Sequence, residues 1–343
     1  MSSFSPSHDE LRDHIEGCLS AFLADRRGVL EEAAPLIDEL ERMIHLGGKR
    51  LRPAFCYWAF RACGGTHGPE IVRSAASLEL LHTFAIVHDD IMDASATRRG
   101  APTVHAAGGL AVGILAGDLA LVLADHLFVT AGFSGGSARA AFDAYSRMRQ
   151  QVIAGQYLDV RSAEAAPPTA AEARRLAVLK SALYTVEEPL LIGALLAGRR
   201  AVDLHGWARF GRALGEAFQL VDDIAGVFGS ETEVGKPVDS DVREGKRNLL
   251  FVYALEGLTA DDRDELLARW GRGDDLSGPD VQRARDLVAG SGARARTEEL
   301  IRSLYRDALN ALDALGLGHE VTAALDDLAR RAVHPYGRSR SDP

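Results

Sequence analysis

Residues 78–93 read LELLHTFAIVHDDIMD, an almost wholly apolar run that ends in a cluster of aspartates. The apolar residues leave almost no polar face, so we predict a helix that is mostly buried. On this helix Asp89 and Asp93 occupy positions i and i+4 and project from the same face. Because buried carboxylates must be paired or bound to metal, the pattern favours a functional site over a solvated acidic turn.

Carboxylate oxygens spaced in this way suit Mg²⁺, which commonly shares its coordination shell with the phosphates of a substrate. Arg98 and Arg99 follow shortly after the cluster. Their planar guanidinium groups match phosphate oxygens. An acidic helical turn beside paired arginines therefore predicts a site for a metal-complexed diphosphate.

The composition is that of a globular protein with a negative net charge. Of 343 residues, 47% are hydrophobic and 26% are charged, and the formal net charge is −10. This charge disfavours binding to nucleic acids or anionic membranes, and the basic segments near Arg50 and Arg98 point to a small anionic substrate. We find no signal-peptide pattern and no apolar run that predicts a membrane span. Three cysteines without metal-type spacing indicate a reducing, cytoplasmic setting.

Helical periodicity extends along the chain, and alternating strand patterns are scarce. We predict one or two helices over 8–45 and further helices over 51–62, 70–93, 108–131, 137–160, 171–183, 186–197, 203–228, 246–257, 280–290, 294–314 and 319–333. No break is long enough for an interdomain linker. The sequence therefore predicts an all-α fold in a single domain over residues 1–343, with its core at 35–333 and with 1–8 and 334–343 loosely ordered.

A second acidic turn, FQLVDDIAG at residues 218–226, repeats the layout of the first. Gly226 stands where a third aspartate would lie, so Asp222 has no partner at i+4 and this turn offers fewer metal ligands. If the two turns face each other, they bind a metal-complexed diphosphate between them, and Lys236 and Lys246 cover it. Taken alone, the second turn is equally well explained as a helix end with ordinary surface acids.

A third group is GGKRLRP at residues 47–53. Its glycines let the backbone approach an anion, and Lys49 and Arg52 neutralise it. By itself the group is better explained as a basic turn between helices. A lone His82 on an apolar helix is likewise more often a core residue than a ligand, unless it completes a second diphosphate pocket with Lys49 and Arg52.

Together these segments resemble the trans-isoprenyl diphosphate synthase (polyprenyl synthetase) family. The resemblance rests on motifs in the family's order: GGKRLRP at 47–53, LELLHTFAIVHDDIMD at 78–93, RRGAPTVH at 98–105, AGDLAL at 116–121, GQYLD at 155–159, KSALYT at 180–185, FQLVDDIAG at 218–226 and GKPVDSDVREGKRNLL at 235–250. It covers roughly residues 35–255 and implies the isoprenoid synthase fold, a bundle of about ten or more helices around a central cavity.

The resemblance implies a prenyltransferase reaction. An allylic diphosphate (dimethylallyl, geranyl or farnesyl) ionises to a cation and pyrophosphate, the double bond of isopentenyl diphosphate attacks the cation, and a proton leaves. Because charge develops on pyrophosphate, metals and cations matter most in the transition state. The family usually forms homodimers.

The resemblance also implies a role for each matching residue. Asp89 and Asp93 are expected to hold Mg²⁺ with support from Asp90, and Asp222 is expected to bring in a further ion, three in all. The allylic diphosphate is expected to bind Arg98, Lys180, Gln219, Lys236 and Lys246, and Ser181 is expected to bind substrate. Isopentenyl diphosphate is expected to bind Lys49, Arg52, His82 and Arg99. The sequence departs from the family pattern at Gly226, and at Ser181, where threonine is commoner.

Product length follows from the residues one helical turn before Asp89. They are Ala85 and Phe84, with Leu81 about one turn further. Ala85 is small, and only the deeper of the two positions carries an aromatic residue. This arrangement resembles that of geranylgeranyl-forming enzymes, so we predict geranylgeranyl diphosphate as the product. The alternatives are a farnesyl or longer-chain synthase, a terpene cyclase derived from the family, and a non-catalytic regulatory subunit.

Overall fold

Helices make up almost all regular structure in the computed structural model, which describes residues 6–164, 166–229 and 239–334. Helices α1 to α10 span His8–Val29, Ala34–His45, Leu51–Ala62, Pro69–Met92, Val104–Gly108, Leu110–Val129, Gly135–Glu164, Ala170–Ala177, Glu188–Leu196 and His205–Phe228. Further helices span Ser240–Glu244, Leu249–Gly257, Ala260–Arg269, Gly278–Gly290, Ala293–Ala314 and His319–Ala332. The all-α prediction is confirmed.

A short antiparallel hairpin interrupts the helices after α4. Its strands, β1 (Thr97–Arg98) and β2 (Ala101–Pro102), are the only ones in the described parts of the chain. Arg99 at its turn has a φ of 51°, in the left-handed region. Two-residue strands are too short to produce an alternating pattern, so the sequence did not predict this hairpin. It places Arg98 beside the acidic end of α4 and the guanidinium of Arg99 beside Gly48 of the GGKRLRP turn.

The core is built on α4. This helix packs against α6 and α3, while α3 packs against α9 and α10 packs against Ala293–Ala314. The buried apolar side chains form one cluster that extends from Leu11 to Val333. The division of the chain into domains stays a prediction. Ser7 caps α1 with its side chain, so residues predicted to be loosely ordered already begin the first helix; 1–5 and 335–343 lie outside the described residues.

The helix between α8 and α9 differs from the prediction. We expected a break between 183 and 186, but Val178–Glu187 continue as a π-helix that joins α8 to α9. At Gly155, α7 approaches this segment so closely that an added Cβ would lie 2.5 Å from the backbone nitrogen of Lys180. Because π-helical turns are often found at functional sites, this segment directs attention to the side chains that it carries.

Among the described helices, α6 alone has the length and apolar composition of a membrane span, and 44% of its apolar window is buried in the protein. It packs against α4 and carries Asp118 and Asp125. A core helix with one uncovered face has these same properties, so this helix is weak evidence for a span.

Candidate active site

A cavity of about 930 Å³ lies between α3, α4, α7, the π-helix and α10. Most of the candidate site residues line it, although they come from distant parts of the sequence: Lys49, Arg52, His82, Ala85, Asp89, Arg98, Arg99, Lys180, Ser181, Gln219 and Asp222. The three motif groups that the sequence suggested separately therefore share one cavity.

Asp89 stands at the centre of a ring of donors. Lys180 donates from Nζ at 3.0 Å and Gln156 from Nε2 at 3.1 Å, and Nη2 of Arg98 lies 3.7 Å from its carboxylate. Lys180 also pairs with Asp159 at 2.5 Å. Burial opposes the charge on Lys180, but Asp89 and Asp159 raise the pKa of this amine, so it stays protonated. Gln156 and Asp159, from the GQYLD motif, thus hold the acidic cluster and its lysine in place.

Asp90 supports its neighbour by fixing Arg98. Its side chain is buried and accepts hydrogen bonds from Nε of Arg98 at 2.9 Å and from Nη2 at 2.7 Å. This paired geometry holds the guanidinium in one orientation. Asp90 does not line the cavity, which agrees with the supporting role that the family resemblance implies for it.

Asp93 and Lys246 join the end of α4 to the segment that follows Ser240–Glu244. Nζ of Lys246 lies 2.6 Å from Asp93, 3.3 Å from Glu244 and 3.7 Å from Asp159. Burial opposes the charge of Lys246, but the surrounding carboxylates raise its pKa well above the ordinary value. Neither Asp93 nor Lys246 lines the cavity, so in this arrangement Lys246 neutralises carboxylates beside it.

The second acidic turn contributes Asp222 to the cavity. Its side chain is exposed to the cavity. Desolvation by the surrounding protein raises the pKa of Asp222 to about 6, although Lys49 and Arg52 act to lower it. Asp223 is buried, accepts a hydrogen bond from Gln219 at 2.8 Å, and has no partner for Oδ2 within the described chain. Burial raises the pKa of Asp223 well above its ordinary value, and nearby carboxylates add to the effect.

Gly226 does not leave an empty space. A Cβ added there would lie 2.3 Å from Oδ2 of Asp241 and 2.4 Å from its Cγ. The carboxylate of Asp241 therefore occupies the place where a third aspartate side chain of the turn would begin. The loss that the sequence indicated at 226 is offset in space by an acidic residue fifteen positions later, which the linear pattern did not reveal.

The basic half of the cavity contains cations that no described carboxylate pairs with. Arg52 donates to Oγ1 of Thr185 at 2.9 Å, and its Nε is buried without a partner in the described chain. Burial and neighbouring arginines lower the pKa of Arg99. Lys49 donates to the backbone oxygen of Arg331 at 3.3 Å. Unpaired cations this close together favour an anion between them.

Arg50, between these residues in sequence, has a different role. It is buried and pairs with Glu79 at 2.6 Å and with Glu16 at 3.0 Å. Its backbone φ of 47° is in the left-handed region. Arg50 thereby anchors the GGKRLRP turn to α4 and α1, so that Lys49 and Arg52 are held at the cavity edge.

His82 contacts a residue that sequence reasoning did not single out. Its Nδ1 lies 2.5 Å from the hydroxyl of Tyr184, on the π-helix. The guanidinium of Arg52 lies over the Tyr184 ring, 4.1 Å from the centroid. Tyr184 belongs to the KSALYT motif, but only the tertiary structure brings it to His82.

Of the three chain-length residues, only Ala85 lines the cavity. Phe84 is 8% exposed and packs edge-on against His88, with 5.0 Å between ring centroids. Leu81 is fully buried. Neither residue is among those that line the cavity. Phe84 lies one helical turn before His88 on α4 rather than before Asp89. The parts of Phe84 and Leu81 in setting product length stay predictions.

The donors present fit a hard cation that shares its shell with a substrate. Asp89 and Asp222 offer carboxylate oxygens to the cavity, and Asp223 has a buried oxygen without a described partner. In the parts of the chain that the structure describes, no three side chains converge to hold a metal by themselves. Mg²⁺ that takes most of its oxygens from diphosphate and water suits this arrangement. Lys236 lies outside the described residues.

The family model described as polyprenyl synthetase matches residues 34–287. The chain is 32% identical over 320 residues to geranylgeranyl diphosphate synthase of Sulfolobus acidocaldarius, covering 91% of this chain and 92% of that protein. It is 34% identical over 280 residues to geranylfarnesyl diphosphate synthase of Aeropyrum pernix, covering 80% and 86%.

A solved structure shares the fold over nearly all of the chain. The geranylgeranyl pyrophosphate synthase from Corynebacterium glutamicum, complexed with isoprenyl diphosphate and magnesium, aligns with a TM-score of 0.92 and 32% sequence identity. The alignment covers 96% of this chain and 99% of the other.

Proposed function

This chain belongs to the polyprenyl synthetase family, a family of Mg²⁺-dependent prenyltransferases, and from that premise we propose that it condenses isopentenyl diphosphate with dimethylallyl, geranyl or farnesyl diphosphate to make geranylgeranyl diphosphate. The observation that carries the proposal is that one cavity is lined both by carboxylates and by cations without carboxylate partners in the described chain. The carboxylates are Asp89 and Asp222, which we call the acidic half, and the cations are Lys49, Arg52 and Arg99, which we call the basic half. Two diphosphates, one bound through metal and one through cations, match these two groups of residues.

The acidic half supports ionisation of the allylic substrate. When its C–O bond breaks, negative charge develops on pyrophosphate, and groups already aimed at that charge lower the barrier. Arg98 is fixed by Asp90 and Lys180 is held by Asp159, so neither has to reorganise. Mg²⁺, when bound, would supply the remaining charge neutralisation. We propose that Asp89, Asp93 and Asp222 would hold three ions, for which Asp93 would exchange its pairing with Lys246.

The basic half positions isopentenyl diphosphate. Lys49, Arg52, Arg99 and His82 hold its diphosphate so that its double bond faces the allylic carbon. The electron pair of that double bond forms the new C–C bond, and the proton lost from the adjacent carbon passes to the released pyrophosphate. Ile86, Val152 and Phe218 contribute apolar surface to the cavity, which limits the access of water to the cation.

We propose that Ala85 is the first residue of α4 that the growing chain passes. Its small side chain lies on the cavity wall one turn below Asp89. Phe84 is buried directly beside it, so we assign this ring to the support of the wall. A twenty-carbon product is consistent with a relative named as a geranylgeranyl synthase.

We also propose a cytoplasmic homodimer. Large apolar side chains are exposed on α6 and α7: Leu110, Ile114, Leu115, Val122, Val129, Ile153, Tyr157 and Val160. A second copy of the chain that covers this face would remove them from water. The three cysteines are free, as expected in a reducing compartment.

The test is an assay of the purified protein with Mg²⁺, isopentenyl diphosphate and each allylic diphosphate in turn. We expect elongated products that reach geranylgeranyl diphosphate and that require both substrates. A product formed from the allylic diphosphate alone would indicate a terpene cyclase, and no turnover with any starter would indicate a regulatory subunit. Either outcome would overturn the proposal.

A further inference from the structure

Tyr184 contacts one ring nitrogen of His82 and so determines which ring nitrogen of His82 faces the cavity. The two side chains meet at Nδ1 of His82, 2.5 Å from the Tyr184 hydroxyl, and both line the cavity. They are 102 positions apart in sequence and come from α4 and the π-helix. In the described chain, Nε2 of His82 makes no hydrogen bond, so it is the ring nitrogen left to meet a ligand.

Charge and burial keep this imidazole neutral. Burial, together with Arg52 and Arg99, lowers the pKa of His82 well below its ordinary value, because a further cation is disfavoured among arginines. A neutral imidazole carries one N–H, on either Nδ1 or Nε2, and the hydrogen bond at one nitrogen decides which. His82 is therefore a donor to the cavity in one tautomer and an acceptor in the other.

The surroundings of Tyr184 determine the direction of this hydrogen bond. Burial raises the pKa of Tyr184, so its hydroxyl keeps its proton. In the described chain the hydroxyl has His82 as its only hydrogen-bond partner. The hydroxyl proton finds an acceptor only if it is donated to Nδ1 of His82. Leaving a buried hydroxyl without an acceptor would cost free energy. Donation to Nδ1 leaves the imidazole proton on Nε2.

We propose that Tyr184 is a positioning residue that fixes His82 as the Nε2–H tautomer, so that it donates a hydrogen bond to the diphosphate of isopentenyl diphosphate. The inference rests on the proposed function, in which His82 belongs to the basic half of the cavity. A neutral donor adds a hydrogen bond without adding charge to a site already crowded with arginines. The other tautomer would turn a lone pair towards phosphate oxygens.

The same tyrosine also supports Arg52. Its ring lies under the guanidinium, while Nη2 of Arg52 donates to Thr185 on the same π-helix. The hydroxyl and the ring therefore have separable roles, since Tyr184→Phe removes the first and keeps the second. Thr185→Val is the matched control, because it removes a hydroxyl one residue away that contacts Arg52 and not His82.

The first measurement is the tautomer itself. Protein labelled with ¹⁵N at histidine gives two-bond proton–nitrogen correlations that identify the protonated ring nitrogen, and His82→Ala identifies the signal of His82 among the 11 histidines. We expect a proton on Nε2 in the wild type and in Thr185→Val, and a mixture of tautomers or ring orientations in Tyr184→Phe. A proton on Nδ1 in the wild type, or an unchanged spectrum in Tyr184→Phe, overturns the inference.

The second measurement is steady-state kinetics. We expect Tyr184→Phe to raise the KM for isopentenyl diphosphate about tenfold, the lower end of the loss when a metal-binding histidine loses its orienting partner, with little change in the KM for the allylic substrate. In a His82→Ala background the same change should have almost no further effect, because the group it orients is gone. Equal effects in both backgrounds would mean a purely structural hydroxyl.

The two failures are distinguishable. If His82→Ala leaves the KM for isopentenyl diphosphate unchanged, the assignment of His82 in the proposed function is wrong, whatever its tautomer. If His82→Ala raises that KM while Tyr184→Phe changes neither the KM nor the spectrum, the proposed function stands and the role of Tyr184 is refuted.

Discussion

Ala85→Phe should shorten the product by one five-carbon unit. Ala85 lies four residues before Asp89 on α4, and a helical rise of about 1.5 Å per residue places it about 6 Å deeper. One isoprene unit extends about 5 Å, close to one helical turn. Because Ala85 faces the cavity, a ring at this position projects into the path of the chain rather than into packed core.

The magnitude follows from the cost of overpacking. Forcing a bound chain past an added ring costs about 1–3 kcal/mol, which corresponds to about a 5- to 150-fold loss in the partition towards the longer product. We therefore expect farnesyl diphosphate to replace geranylgeranyl diphosphate as the main product. The turnover of dimethylallyl diphosphate should remain, since the acidic cluster is untouched.

The assay separates dephosphorylated products by chain length after incubation with each allylic starter. Val202→Phe is the control, because it adds a ring at a side chain 77% exposed and outside the cavity. Phe84→Ala is the opposite perturbation, which should open space beside the wall and lengthen the product. Unchanged product lengths in Ala85→Phe, with activity retained, would refute the assignment of this face of α4 to the growing chain.

Three further changes test the site and its support. Asp89→Asn should lower kcat about a hundredfold or more while circular-dichroism melting stays near that of the wild type; retained activity would contradict the role of Asp89. Gly226→Ala should lower the free energy of unfolding in urea titrations by about 1–3 kcal/mol, since the added Cβ would meet the Asp241 carboxylate. Adding Asp241→Ala should relieve most of this loss. Additive losses in the double variant would argue that the two side chains do not share one space. Arg50→Met should lower the free energy of unfolding by about 3–5 kcal/mol, because it leaves Glu79 buried without its partner. The double variant with Glu79→Leu should recover stability. No recovery would show that loss of the ion pair is not the cause.

The local sequence was sufficient to predict the helices and the family. The predicted helix at 51–62 is observed as Leu51–Ala62, and the predicted helix at 203–228 as His205–Phe228. Helical periodicity and turn residues are encoded within a few neighbours, so a single sequence reveals them. The ordered motifs likewise predicted the polyprenyl synthetase family, which the comparisons confirm.

Neighbouring residues with the same chemistry received different roles only in the folded chain. Arg50 is a buried ion-pair partner of Glu79, whereas Arg52, two positions later, makes no ion pair in the described chain and donates to Thr185. The sequence distinguishes them poorly because both are basic residues of one turn. Which of them meets a carboxylate depends on α4, whose contribution lies 29 positions away from Arg50.

The sequence by itself predicted the helices and a site of carboxylates and arginines for a metal-bound diphosphate, because these depend on residue type and short-range spacing; the reaction class followed from the resemblance of its ordered motifs to the polyprenyl synthetase family. Only the tertiary structure decided that Ala85 rather than Leu81 faces the cavity, that Asp241 fills the space at Gly226, and that Tyr184 meets His82. These pairings join helices distant in the chain, so they depend on how whole helices pack against one another and leave no signal in local sequence.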